Sequence, residues 1–110
     1  MLGGVDGALA ALLVDYGSGV ALGQAGDGVN LQVAAVGNTQ VVRAKLKTMA
    51  DLGLDEELED ILITLSTQYH LLRVLPGRKL FVYLVLSRKA NLARARLRLK
   101  SLTDLMSAWM

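Results

Sequence analysis

At 110 residues the chain has the length of one domain, 1–110, and can bury about two-thirds of its unfolded surface in a single core. Hydrophobic residues make up 53% of it and charged residues 20%, which excludes intrinsic disorder. Cysteine is absent and His70 is the one histidine, so a disulfide framework, a thiolate or multi-histidine metal site and a cysteine nucleophile are excluded together. The net charge of +2 is too small to argue for nucleic acid. Its distribution is uneven. No Lys or Arg precedes Arg43, six lie between Arg88 and Lys100, and six acids lie between Asp51 and Asp60. Such a polarised molecule suits self-association or a charged partner.

The apolar run 8–14 ends in Asp15-Tyr-Gly-Ser-Gly19, the pattern of a buried strand followed by a hairpin turn. Residues 20–25 form the return strand, and Gly23 within it suits a sheet edge. No basic residue precedes that first run, and it is far shorter than the roughly 20 residues of a membrane span. A cytoplasmic protein without membrane insertion is expected. Gly26-Asp27-Gly28 breaks the chain, with Asp27 in the N-cap region of the next helix.

From Leu31 to Leu52 the apolar positions 31, 34, 35, 41, 42, 46, 49 and 52 fall in one arc of about 140°, and Gly53 supplies a stop. Asn38 and Lys45 lie inside that arc, and a buried Asn needs a partner across an interface or at its rim. Three strands follow. Residues 61–66 carry a partly polar second face, the mark of an edge, and 69–75 come next. Pro76-Gly77 reads as a type II turn, and 80–86 is apolar throughout, which places it mid-sheet. Residues 89–106 alternate in places like a strand. Their length and Ala/Leu/Arg content favour a helix. The order β-β-α-β-β-β-α with doubly apolar central strands predicts an α+β, α/β/α sandwich with a helix on each sheet face.

Chemistry is sparse. Gly23, Gly26 and Gly28 precede a helix, but the Lys and Ser/Thr of a phosphate loop are missing. His70 has no carboxylate or second ligand nearby in sequence, and Ser66, Thr64 and Thr67 lack a base. No catalytic, cofactor or metal residue is nominated, and no enzyme activity is expected. Arg94 and Arg98 border one side of the last helix's apolar stripe, Arg96 and Lys100 the other, so they form no single phosphate-binding row.

Several strings in this order resemble the Roadblock family. They are the opening Gly7-Ala-Leu-Ala-Ala-Leu-Leu-Val-Asp-Tyr with its Gly turn, Asp60-Ile-Leu-Ile-Thr64, Tyr69-His-Leu-Leu-Arg73, Leu80-Phe-Val-Tyr-Leu-Val-Leu86 and Ala90-Asn-Leu-Ala-Arg94. The resemblance implies a five-stranded antiparallel sheet between helices and a dimer joined through edge strands and middle helices. It also implies a platform for a Ras-like small GTPase, as in bacterial gliding-motility regulators. Relatives begin with a helix, which is expected to be short or absent here, since only Met1 to Asp6 precede the first strand. The expected role is therefore a non-catalytic homodimeric module that binds and regulates such a GTPase, with no cofactor. A scaffold subunit without effect on hydrolysis and a profilin-like small-ligand sensor are the alternatives. An open edge invites pairing. The expected dimer interface comprises Asn38, Val42, Lys45, Ile61, Leu62, Ile63, Thr64 and Leu65.

Overall fold

A computed structural model describes residues 5–109, and its elements follow the expected order. They are β1 (Ala8–Asp15), β2 (Val20–Gly26), α1 (Leu31–Asp51), β3 (Asp60–Thr64), β4 (Gln68–Val74), β5 (Leu80–Ser87) and α2 (Leu92–Trp109). The strands form one antiparallel sheet in the order β2-β1-β5-β4-β3. The wholly apolar β5 is its central strand. Residues Phe81 to Leu86 are all buried, alternating between two cores on opposite faces. On one face Val82, Leu84 and Leu86 meet Ala95 and Leu99 of α2. On the other, Phe81, Tyr83 and Val85 meet Ala35 and Val42 of α1. Among the described residues no helix precedes β1, and no helix is long and apolar enough to cross a membrane.

Local chemistry fixes the boundaries. The N-cap of α1 is Asn30 rather than Asp27, because Asn30 Oδ1 accepts from Val33 N–H at 3.1 Å. Gly53, at φ 70°, ends the helix with paired bonds from its own N–H to Ala50 and from Leu54 N–H to Met49. Pro76-Gly77 forms the expected turn, with Gly77 at φ 69° and Arg78 N–H donating to the Leu75 carbonyl at 3.1 Å. α2 starts later and ends later than the residue pattern indicates, since Asn91 caps it through Arg94 N–H at 3.0 Å. β3 stops at Thr64, short of the expected 66. Leu65 N–H turns back to the Gln68 carbonyl at 2.8 Å, closing a tight β3–β4 hairpin.

The β1 entry point depends on Gly7, which lies at φ +82° and donates no side chain to a gap already filled by Ala90. A Cβ there would stand 2.7 Å from Ala90 Cβ, and the Gly7 carbonyl accepts from Ser87 N–H at 2.9 Å. Gly7→Ala adds an unfavourable backbone conformation and a clash, and is expected to cost roughly 2 kcal/mol in urea unfolding.

Candidate interaction surface

Among the described residues the outer side of β3 has no strand partner. In the β3–β4 register residues at 59, 61, 63 and 65 exchange bonds with β4, as Leu65 N–H to Gln68 and Val74 N–H to the Glu59 carbonyl show. The backbone groups of Asp60, Leu62 and Thr64 therefore point outward, unpaired within the subunit. The side chains of Ile61 and Ile63 lie on the α1 side of the sheet, half-buried against the α1 core, and that of Leu62 packs on the α2 side. Leu65 is exposed in the hairpin turn, its carbonyl taken by Arg88 Nη1 at 2.7 Å. It lies one residue beyond the end of β3.

α1 runs over the same face as Ile61 and Ile63, and its two flanks can be told apart by their bonds. Arg43 reaches the β1–β2 hairpin, donating to the Tyr16 carbonyl at 2.7 Å and to that of Gly17 at 2.6 Å. The opposite flank, which holds Ala34, Asn38, Val41 and Lys45, overlooks β4 and β3. Lys45 is exposed there and Asn38 is half-buried, its Nδ2 donating to the Ala34 carbonyl at 2.8 Å. Val42 differs. It is 0% exposed, packed inside the α1 core of the subunit. Its neighbour Val41 is 37% exposed on the flank. Residue periodicity alone merged the two because α1 is apolar toward the sheet and along this flank.

Between this flank and β4 lies a cleft of about 730 Å³ reached by His70, Gln68, Tyr83 and Val33. His70 Nε2 bonds Gln68 Oε1 at 2.9 Å, so the neutral ring accepts from the Tyr83 hydroxyl at Nδ1, 3.1 Å away. The two rings meet edge to face at 5.2 Å. Burial pushes the Tyr83 hydroxyl up, opposed by a side-chain hydrogen bond with Asn38. Cross-strand placement made this chain of groups, and sequence spacing could not show it. Burial also holds His70 below its usual 6.5. The folded protein thus binds that proton less readily than the unfolded chain. The stability contributed by neutral His70 is complete above pH 6.5 and is lost as the pH falls through the lowered value. Thermal unfolding midpoints should fall between pH 7.5 and 5.5, and His70→Gln should flatten that dependence.

Among the described residues the buried charge is Arg73, on the α2 face of β4, with Glu59 and Asp104 each 3.9 Å from its guanidinium and its Nε unbonded in the subunit. It ties the segment before β3 to α2 electrostatically.

No family model and no curated protein matches the sequence. Solved structures do match the fold. A Roadblock/LC7 domain from Streptomyces avermitilis superposes with a TM-score of 0.87 at 12% identity, covering 99% of this chain and 92% of that one. MglB from Myxococcus xanthus gives 0.84 at 18% identity, over 93% and 82%. The gliding protein MglB from Thermus thermophilus gives 0.83 at 20% identity, over 97% and 80%, and MglB has also been solved in a tetrameric arrangement. The chain thus has the Roadblock/LC7 fold, as its residue strings and element order imply.

Proposed function

We propose that this chain is a non-catalytic homodimeric module, located in the cytoplasm, that binds a Ras-like small GTPase and regulates its nucleotide cycle. The observation that carries the dimer is the step formed by the unpaired β3 edge and the α1 flank above it. A two-fold copy placed on that step pairs the outward groups of Asp60, Leu62 and Thr64 and covers Ile61, Ile63 and Val41. Lys45 and Asn38 then border the helix–helix seam. The shared fold with MglB, a gliding protein, supports the family resemblance from which the GTPase partner is inferred. The tetrameric arrangement known for MglB supports self-association.

Such a module needs no catalytic group of its own. A surface that contacts one GTPase conformation better than another shifts the population toward it. Arg43, Arg88 and Arg96 are held by bonds within the subunit, and the reading assigns none of them to the nucleotide. The test is retention of the source organism's Ras-like GTPases, loaded with GDP or a GTP analogue, followed by single-turnover hydrolysis. Nucleotide-dependent binding with altered turnover is the expected result. Binding with unchanged turnover makes the chain a scaffold, and no binding to any of them sinks the GTPase reading.

A further inference from the structure

In the fold the acidic segment adjoins one flank of the basic helix, with Asp60 paired to Arg96 and Glu56 and Glu57 sharing a cleft with Lys100. α2 has two unlike flanks. The one toward β3 carries Arg96, paired with Asp60 at 2.6 Å, and Lys100, paired with Asp104 at 3.0 Å. The other lies toward β1, where Arg94 and Arg98 share a small hollow with Val5 and Asp6. At 100° per residue Arg94, Leu97, Arg98, Ser101, Leu105 and Trp109 fall in one arc of about 120° on this second flank, and none of the six is acidic. Leu97 is 67% exposed, Leu105 58% and Trp109 84%. Exposed leucines and a tryptophan along a helix flank that also carries arginine have the composition of an interface centre.

The complement is on the same chain. The connection after α1 exposes Leu52 and Leu54 beside Asp51, Asp55, Glu56 and Glu57. Within the subunit this connection meets the other side of α2, where Glu56 and Glu57 share a cleft with Lys100. It leads into β3, at the far edge of the sheet from β2, so the same molecule cannot fold it onto the Arg94/Trp109 flank.

We infer that the Arg94/Trp109 flank of α2 docks the acidic, leucine-bearing segment 51–57 of a second copy. Opposite charge and exposed apolar side chains on both surfaces specify the occupant. The contact is head-to-tail, unlike the two-fold β3 seam, so it links dimers into longer assemblies. It goes beyond the GTPase reading and does not depend on it. One helix flank against one connection is small beside the roughly 1,000 Å² of a lasting interface, so the contact is weak and salt-sensitive.

Trp109 is the one tryptophan, so its emission reports on this flank alone. The experiment is sedimentation with Trp109 fluorescence at about 10 mM and about 150 mM salt, where charges are screened beyond about 30 Å and 8 Å. At low salt the mass should rise past the dimer with concentration and the emission should shift to the blue. High salt should reverse both. Arg94→Glu/Arg98→Glu and Asp55→Lys/Glu56→Lys/Glu57→Lys should each stop at the dimer, and an equal mixture of the two variants should associate again. Unchanged mass and emission across salt, or variants that associate like the wild type, overturn the inference. So does a blue shift with phosphatidylglycerol vesicles but not with protein concentration, which assigns the flank to a lipid surface. A monomer at high salt would instead refute the β3 seam and leave the salt-dependent step readable.

Discussion

Thr64→Pro should dissociate the dimer while leaving each subunit folded. The Thr64 N–H points away from β4, because the β3–β4 ladder uses the alternate residues 61, 63 and 65. Proline is tolerated on an edge strand where the lost donor faces outward, so the intramolecular ladder survives. Across a two-fold seam the substitution removes one donor from each copy and sets a pyrrolidine ring where a strand must approach. Each effect counts twice. A dimer about a hundredfold weaker is expected, equivalent to about 2.7 kcal/mol. Sedimentation over a concentration series reads the dissociation, and far-ultraviolet circular dichroism checks the fold. Ile63→Pro is the contrast. Its N–H belongs to the β4 ladder, so that variant should lose subunit stability instead. A Thr64→Pro protein that remains as dimeric as the wild type would remove the edge strand from the interface.

Much of this surface was legible because the cues that carried it are local. An apolar residue at every position put β5 in the centre, Pro76-Gly77 set its hairpin, and Gly53 stopped α1 through a positive φ that other residues resist. The partly polar 61–66 run marked an edge, and β3 is one. What escaped depends on groups distant in sequence. Leu65 looks like a strand residue until the Gln68 carbonyl and Arg88 draw it into a turn. Thr39 is buried in α1 although its polarity kept it outside the apolar arc, and the Gln68–His70–Tyr83 chain exists only once β4 and β5 are in register. The merging of Val41 with Val42 has a third cause. A helix covered on one side and half-covered on another gives a broad arc in which periodicity cannot separate core from seam.

Those adjacent valines therefore supply the sharpest separation of stability from assembly. Val42→Ala removes two methyls from a site with no solvent contact, where Phe81, Leu72 and Tyr83 share the same core. The lost transfer energy and the cavity together should cost the subunit about 2–3 kcal/mol in urea unfolding at high protein concentration. Assembly should be unchanged wherever the protein remains folded. Val41→Glu reverses the pattern. Its side chain already has partial access to water, so the isolated subunit should lose under about 0.5 kcal/mol. In the seam the same carboxylate faces its symmetry mate under a covering helix, and burying two like charges together should weaken the dimer at least a hundredfold. Lys45, one turn further along the flank, limits the effect if it reaches the new charge, so Val41→Glu/Lys45→Glu should dissociate further. Sedimentation and unfolding measured on the same samples decide it. If Val41→Glu stays dimeric, α1 does not line the seam and the partner helix must be sought on another face.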